Sequence, residues 1–305
     1  MNENAKAMVL AAFIGDALSL GVHWVYNTNV IDKKYGRVID MLAPKLASFH
    51  RGKVEGEFTH YGDQTLLLLE SIASDNGFDL NRFADEWRAF FEEYEGYIDG
   101  ATKATQANFK AGKNADTAGS DSEDLGGAAR IAPLVYVYQD DPNHLIQAVK
   151  TQTTMTHDGP EIAATAEFFA RTVLAVFDGE APHTAMEGVM EVYFNRPPFN
   201  KWVPQGLDSA ATDSRTVIKN FGQMCEVEAA FPSTVHLVAR YQEDFEEALV
   251  KNIMAGGDSA ARGLVTGMIL GAYHGMDAIP KRWLNNLKAY DRIIALLDRI
   301  DPGTP

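Results

Sequence analysis

The amino-acid sequence predicts an all-α protein, built as one compact multi-helix domain over residues 1–305. Apolar residues recur at helical spacing along most of the chain. Outside those segments there is no strand-like alternation over five or more residues, and no repeat of 20 to 50 residues. With 46% hydrophobic and 23% charged residues, the composition is that of a folded globular protein. No shift in composition marks a domain boundary.

The first predicted helix, 5–19, lies in the apolar run AMVLAAFIGDALSLGVHW. Asp16 and His23 interrupt this run, and only Lys6 precedes it as a basic residue, so we interpret it as a buried core helix rather than a signal peptide or membrane span. A buried Asp16 needs a partner. It either ties the helix to a neighbouring amide or arginine, or faces a functional site.

The second helix is predicted over 64–75, within THYGDQTLLLLES. Asp63 is predicted as its N-cap, because a carboxylate there accepts the free amides of the first turn. The same position would let Asp63 meet a cation or a ligand. His60 is open to two interpretations as well, a packed histidine or one that lines a cleft.

The helix in LNRFADEWRAFFEEYEGY is predicted from one apolar face, and PEIAATAEFFARTVLAVF at 160–177 shows the same spacing, with Pro160 in its first turn. The face of the former consists of Leu80, Phe83, Ala84, Trp87, Phe90, Phe91 and Tyr94. Further helices are predicted at 100–111, 123–138, 143–153, 183–193, 231–241, 243–255, 259–275 and 287–299. The segments 111–124 and 195–214, rich in Gly, Asn, Asp and Pro, are predicted as loops.

Glycines recur every fourth residue in the helix 259–275, at Gly263, Gly267, Gly271 and Gly275. Each interior glycine costs roughly 0.5–1 kcal/mol relative to alanine, so the pattern predicts a very close helix crossing. Asp258 follows two glycines and is predicted as the N-cap. Asp63 also follows a glycine, so we expect the two helix starts to converge on one hollow.

Charge and cysteine content exclude several classes of function. The net charge of −15 argues against nucleic-acid binding, and the longest basic cluster is PKR at 280–282. A single cysteine, Cys225, excludes a disulfide framework and a cysteine-based zinc cluster. It agrees with a reducing, cytoplasmic location. No membrane association is expected, and the oligomeric state stays open.

Five segments in the right order resemble the ADP-ribosylglycohydrolase family, which includes the hydrolase that reactivates ADP-ribosylated dinitrogenase reductase. They are FIGDALSLGVHW at 13–24, GDQT at 62–65, SEDLGGAARIAP at 122–133, TMTHDGPEIAATA at 154–166 and GGDSAARGLVTGMILGAYHG at 256–275. The resemblance implies an all-α fold with a pair of Mg²⁺ ions at the base of a cleft. It also implies an ADP-ribosylated or small-molecule substrate whose glycosidic bond is cleaved.

This chain departs from the family's metal-binding motifs. Of the usual carboxylate ligands only Asp63 and Asp258 remain, while Ala260 and Ala261 offer no side-chain ligand. Two carboxylates cannot neutralise two divalent ions, so we expect at most one weakly bound Mg²⁺. His23 stands at the place of a family carboxylate, and its ordinary pKa suits acid–base work.

The resemblance implies catalytic roles for Asp63 and Asp258. His23 is expected to supply acid or base function in place of the family's carboxylate; the alternative is a packed histidine beside Trp24. The expected substrate-binding residues are Ser122, Gly126, His157, His60, Gln64 and Arg262. Arg262 is expected to form a salt bridge with Asp63, Asp16 or another cleft carboxylate; the alternative is a surface arginine. Three functions stay open: a hydrolase with altered metal use, a pseudo-hydrolase that binds ADP-ribose without cleaving it, and a structural protein on the same scaffold.

Overall fold

The computed structural model describes residues 2–301, and the all-α prediction is confirmed. Among these residues β-structure is limited to isolated bridges, such as that between Val25 and Gly257. Two 3₁₀ turns, Ser209–Ala211 and Met276–Ala278, complete the regular structure. The α-helices in chain order are α1 (Ala5–Ser19), α2 (Thr28–Tyr35), α3 (His60–Asp75), α4 (Leu80–Glu92), α5 (Gly100–Lys110), α6 (Gly126–Ala129), α7 (Ala132–Tyr138), α8 (Pro142–Thr154), α9 (Pro160–Phe177), α10 (Pro182–Tyr193), α11 (Phe199–Asp208), α12 (Ser214–Phe221), α13 (Val227–Arg240), α14 (Phe245–Met254), α15 (Ser259–His274), α16 (Lys281–Asn286) and α17 (Tyr290–Ile300).

The centre of the molecule is the crossing of α1 and α15, which come from opposite ends of the chain. Both helices are buried along nearly their whole length. A Cβ atom added at Gly267 would lie 2.1 Å from the Ala11 carbonyl oxygen, and one at Gly15 would lie 2.0 Å from the Gly263 carbonyl oxygen. The predicted close crossing is therefore confirmed, because glycine is the residue that lets two helix backbones approach this closely.

The fourth glycine of the predicted stripe has a different role. Gly275 is the C-cap of α15 with φ of +73°, so it ends the helix rather than lining its packed face. Its left-handed backbone conformation is the one that glycine adopts without strain. The stripe itself consists of Gly263, Gly267 and Gly271.

Prolines explain two errors in the predicted helices. The single helix predicted over 123–138 is two helices, α6 and α7, because Pro133 has no amide hydrogen and occupies the first turn of α7. The predicted loop 195–214 contains α11, whose buried Phe199, Trp202 and Val203 have helical spacing. Pro204 inside that helix disguised the pattern. The short helices α2, α12 and α16 were not predicted.

Four helices were predicted well, whereas α3, which carries part of the candidate site, begins at His60 rather than at the predicted residue 64. The bounds of α1 and α9 agree with the prediction, and those of α5 and α15 differ by one residue. α1 is a buried core helix, as expected. Within residues 2–301, none of the helices combines the length and apolar character that a membrane crossing requires.

Candidate functional site

The starts of α3 and α15 meet, as the sequence predicts, at a polar floor formed by His23, Tyr61 and Asp258. The Tyr61 hydroxyl donates a hydrogen bond to Asp258 Oδ2 at 3.3 Å, and His23 Nδ1 lies 3.6 Å from Asp258 Oδ1. Each of the three residues is at most 2% exposed. A buried acid, a phenol and an imidazole are therefore held together where two helices begin.

The backbone before α15 brings the segment that follows α1 to this floor. Gly256 and Gly257 have φ of +69° and +66°, and Gly257 exchanges backbone hydrogen bonds with Trp24 and Val25. The Trp24 amide donates to the Gly257 carbonyl at 2.8 Å, and the Gly257 amide donates to the Val25 carbonyl at 3.1 Å. His23 is thereby fixed beside Asp258, because its neighbours are tied to the residues that precede that aspartate.

Asp258 is the N-cap of α15, as predicted, and it is fully buried. Its Oδ1 accepts a hydrogen bond from the Ala261 amide at 3.3 Å. Burial raises the pKa of Asp258 to about 6, although the positive charge of Arg262 acts to lower it. This carboxyl group can therefore change its protonation state near neutral pH.

Arg262 is fully buried, so the alternative of a surface arginine is wrong, and the direct salt bridge is not formed either. Its Nε donates to Asn252 Oδ1 at 3.1 Å and its Nη2 to the Gly256 carbonyl at 2.6 Å. Nη1 is buried without a hydrogen-bond partner among the described residues. The guanidinium group of Arg262 donates its hydrogen bonds to Asn252 and to the Gly256 carbonyl, so it acts on Asp258 only through its charge.

Asp63 is not the N-cap of α3. The helix begins at His60, and its cap is Thr59, whose hydroxyl accepts a hydrogen bond from the Tyr61 amide at 3.2 Å. Asp16 accepts hydrogen bonds from the Thr59 amide at 2.7 Å and the Gly62 amide at 3.2 Å. The free amides of the first turn therefore already have partners, so the helix can start before Asp63.

Asp63 instead lies in the first turn and bonds two side chains. Its Oδ2 accepts hydrogen bonds from Lys53 Nζ at 2.6 Å and from the Tyr94 hydroxyl at 2.5 Å. Tyr61, two residues earlier in the same helix, is the residue that reaches Asp258. Residues two apart point to different sides of a helix, so Asp63 and Asp258 do not face one another across this contact.

Of the two roles that the sequence left open for Asp16, the structure shows the first: Asp16 ties α1 to neighbouring groups of the core. Its carboxylate accepts three hydrogen bonds from Thr59 and Gly62, the shortest at 2.6 Å from the Thr59 hydroxyl. Burial raises the pKa of Asp16 to about 6, while the hydrogen bonds from Thr59 act to lower it. Asp16 thus joins α1 to the start of α3, and this holds the floor in place.

A histidine cluster, formed by His23, His50 and His60, adjoins the floor and shares His23 with it. His50 Nε2 is 3.3 Å from His60 Nδ1, and His60 Nε2 is 3.1 Å from Asp99 Oδ2. Burial tends to raise the pKa of Asp99, but the hydrogen bond and the charge of His60 outweigh it and hold that pKa below its usual range. Burial, and then the charges of His50 and His60, hold the pKa of His23 well below its usual value.

Three aromatic rings form a cover over this cluster: Trp24, Phe49 and Tyr97. The Trp24 ring lies 4.8 Å from Phe49 and 5.1 Å from Tyr97, measured between centroids. Trp24 has φ of +59°, a conformation that bulky residues rarely adopt and that often marks functional segments. Outside the cover, Phe49 and Tyr97 line a surface cavity of about 360 Å³ together with Arg51 and Lys103.

The remaining candidate residues lie around the floor at different depths. Gln64 is bonded inside the core, where its Oε1 accepts from Trp87 Nε1 at 2.9 Å and from Arg130. Gly126 packs against the Tyr61 ring, since a Cβ there would lie 2.2 Å from it. His157 is buried behind Gly127, with its Nε2 unbonded among the described groups. Ser122 is partly exposed in the loop before α6.

Sequence reasoning missed His50, Tyr61, Trp24 and Asp99 as parts of this site. Asp99 carried a usable signal, because it directly precedes the predicted helix 100–111 and caps it through the Thr102 amide at 2.6 Å. His50 and Trp24 carried none. They lie outside the predicted helices, and only the folded chain brings them beside α3.

The described side chains do not fit a pair of magnesium ions. Magnesium requires oxygen ligands in near-octahedral geometry. One of the two carboxylates, Asp63, already bonds the Lys53 ammonium group, and the other, Asp258, is next to a phenol and an imidazole. Ala260 and Ala261 add no side-chain oxygen. Among the described residues, the floor therefore lacks the set of oxygen ligands that two magnesium ions require.

Comparison with known proteins gives one family over the whole length. The family model described as ADP-ribosylglycohydrolase matches residues 1–304. Crystallin J1A of Tripedalia cystophora is 24% identical, with 98% of this chain and 96% of its own length covered. ADP-ribosyl-[dinitrogen reductase] glycohydrolase of Rhodospirillum rubrum is 22% identical, with 94% and 91% covered. A solved structure, "ADP-ribosylglycohydrolase-related protein complex", has a TM-score of 0.76 at 24% identity, covering 98% of this chain and 96% of its own, and shares the fold.

Proposed function

The chain belongs to the ADP-ribosylglycohydrolase family, and we propose that it hydrolyses a glycosidic bond to ADP-ribose, or to a closely related ribosyl group, at its polar floor. The observation that carries this proposal is the buried contact of Asp258 with His23 and Tyr61 where α3 and α15 begin. This chemistry needs no paired magnesium centre. The substrate's leaving group is nitrogen or oxygen.

Asp258 and His23 suit the two demands of this reaction. Positive charge develops on the ribosyl ring as its bond to the leaving group breaks, and an ionised carboxylate stabilises that charge. His23 is neutral, and neither of its ring nitrogens has a hydrogen-bond partner among the described groups. A neutral imidazole accepts a proton from the attacking water. The net reaction adds hydroxyl to the anomeric carbon and a proton to the leaving atom.

The cavity outside the aromatic cover supports binding of the ADP part. Phe49 and Tyr97 offer ring faces for a purine, and Arg51 and Lys103 offer cations for a diphosphate. In a chain with a net charge of −15, a cavity lined by these two cations and only one carboxylate, that of Glu95, is locally positive. For the sugar to reach Asp258, the rings of Trp24 and Tyr97 must move aside.

The remaining sequence-derived roles complete the proposal. Ser122 and His157 contact the substrate from the side of α6, and His60 lines the floor. Three further residues support the floor without lining it. Gly126 packs against the Tyr61 ring, Gln64 bonds the backbone of α3, and Arg262 bonds the Gly256 carbonyl. Asp63 acts through Lys53 and Tyr94.

The test is release of free ADP-ribose from two peptides, one carrying ADP-ribose on arginine nitrogen and the other on serine oxygen. We expect Asp258→Asn and His23→Gln to lower kcat about 10²–10⁴-fold on the substrate that is cleaved. The matched control is Asp244→Asn, because Asp244 caps α14 as Asp258 caps α15 but is exposed. Equal turnover by Asp258→Asn and Asp244→Asn would remove Asp258 from the mechanism.

A second candidate function is binding of ADP-ribose without cleavage. The aromatic cover over the floor favours it, and so does the Lys53 ammonium group on Asp63. One of the relatives is named as a crystallin rather than as a hydrolase. Calorimetric binding of ADP-ribose, with no release from either peptide, would support this function over hydrolysis.

A further inference from the structure

The three imidazoles of the histidine cluster lie close enough to share one ion. One ring nitrogen from each of His23, His50 and His60 can be chosen so that all three lie within 4.8 Å of one another. Each of these residues is at most 2% exposed. They come from the turn after α1, the loop before α3 and the first residue of α3.

The best-defined pair already has the spacing of metal ligands. Two nitrogens bound to one tetrahedral zinc ion at ~2.0–2.1 Å lie roughly 3.3–3.4 Å from each other. His50 Nε2 and His60 Nδ1 are 3.3 Å apart. The third nitrogen, on His23, lies within 4.8 Å of these two, so its ring has to move closer to complete a three-nitrogen face.

The carboxylates around the cluster are placed as they are beside metal-binding histidines. His60 directs Nε2 to Asp99, at 3.1 Å from Oδ2, which leaves Nδ1 facing His50. His23 Nδ1 has Asp258 Oδ1 at 3.6 Å. A carboxylate beside the outer nitrogen of a ligating histidine fixes the ring and raises its basicity.

The described contacts leave the ring nitrogens of His23 without hydrogen bonds. Both of its ring nitrogens are buried without a hydrogen-bond partner, which is uncommon for a buried polar group and calls for a missing ion, a missing water or a special role.

We propose that His23, His50 and His60 bind one Zn²⁺ ion, with a fourth coordination position left to water or to a substrate oxygen. Imidazole nitrogens favour zinc over magnesium, which prefers oxygen. Three protein ligands and one open position are typical of catalytic rather than structural zinc sites. The ion lies beside the polar floor, and its binding does not depend on the hydrolase proposal; while it is bound, the lone pair of His23 is on the metal and cannot accept a proton.

The first experiment measures zinc on the full-length protein. Chelator-treated protein is dialysed against Zn²⁺, and bound metal is counted by elemental analysis; we expect one ion per chain and an increase in Tm. Loss of a carboxylate that bonds a metal-binding histidine typically weakens metal binding ~10–100-fold. His50→Gln and His60→Gln each remove a ligand and are expected to weaken zinc binding by more than this. Asp99→Asn, which keeps a capping residue for α5, is expected to fall within that smaller range.

The matched control is His144→Gln, because His144 is an exposed histidine on α8 far along the chain from the cluster. It should bind zinc as the unaltered protein does. The proposal is overturned if the unaltered protein binds far less than one zinc ion per chain. It is also overturned if both cluster variants bind zinc with the stoichiometry and affinity of the unaltered protein. Magnesium in place of zinc should leave Tm unchanged.

A second measurement on the unaltered protein avoids any folding defect of the variants. Cobalt bound in place of zinc should show the visible absorption of a tetrahedral ion. X-ray absorption of the zinc form should show nitrogen neighbours at ~2.0–2.1 Å. An octahedral cobalt spectrum, or a shell of oxygen neighbours alone, excludes the zinc site whether or not the protein has hydrolase activity. Conversely, a three-nitrogen shell would establish it whether or not any ADP-ribosyl bond is cleaved.

Discussion

Asp258 is the residue whose ionisation most directly links the floor to the stability of the fold. It is fully buried, and its pKa is about 6 in the folded chain against 3.8 for an ordinary aspartate. The folded state therefore holds a proton on Asp258 more tightly than the unfolded state does. A raised carboxyl pKa contributes stability at low pH that is lost as the pH rises through the folded value.

We expect the Asp258→Asn variant to lack this loss. Between pH 4 and pH 7 the free energy of unfolding of the unaltered protein should fall relative to that of the variant, by up to about 3 kcal/mol for a shift of roughly two pKa units. Urea unfolding of both proteins at several pH values measures the difference. A constant difference across that pH range would show that Asp258 does not have a raised pKa.

Asp63 shows where residue-level prediction from the sequence fails. Asp63 and Asp258 carry the same local signal, an aspartate after glycine before an apolar helix, yet only Asp258 is a cap. The difference comes from Asp16, which supplies acceptors to the first turn of α3 from 43 residues away. Likewise His50 reaches His60 only through the folded loop, so no local pattern could have indicated it.

At the scale of elements, the α1–α15 crossing is the contact that fixes both sides of the floor. Gly267 faces the Ala11 backbone, and its missing side chain is what permits the approach. The atom that an added Cβ would meet is a carbonyl oxygen 2.1 Å away, part of a helix backbone that cannot rotate aside. One of the two helices would have to move.

We expect Gly267→Ala to destabilise the protein by at least about 1–3 kcal/mol, the usual cost of overpacking a core, despite the better helix propensity of alanine. Gly188→Ala in α10 is the matched control, because its added Cβ would meet only Glu180 Oε2, at 4.0 Å. That variant should gain roughly 0.5–1 kcal/mol. Denaturant unfolding compares the two, and equal effects would contradict the close crossing.

The sequence was sufficient to predict those helices whose own residues show which face is packed in the core. α1, α9 and α15 have continuous apolar or small-residue faces, and their bounds were predicted to within one residue. α11 was missed because Pro204 and Gly206 lie among its apolar residues. Its helical state depends on burying Phe199 and Trp202 against the rest of the core, which is a tertiary effect.

At the scale of the whole molecule, the two ends of the chain belong to one core. α1 packs against α15 and also contacts α3, α7, α14 and α17, so its neighbours come from the beginning, the middle and the end of the sequence. The buried apolar residues form one large cluster that reaches from Ala5 to Ile300, with a small satellite around Ile218. That one domain spans residues 1–305 stays a prediction.

Equilibrium unfolding tests this domain prediction, because one shared core should be lost in one cooperative step. Trp24, Trp87, Trp202 and Trp283 lie in different parts of the chain. Tryptophan fluorescence and far-UV circular dichroism should therefore give the same denaturant midpoint. In single-tryptophan variants, Trp87 near α3 and Trp202 in α11 should also report that midpoint. Two separated transitions, with Trp202 exposed before Trp87, would instead identify α10–α13 as an independently unfolding unit and contradict the single domain.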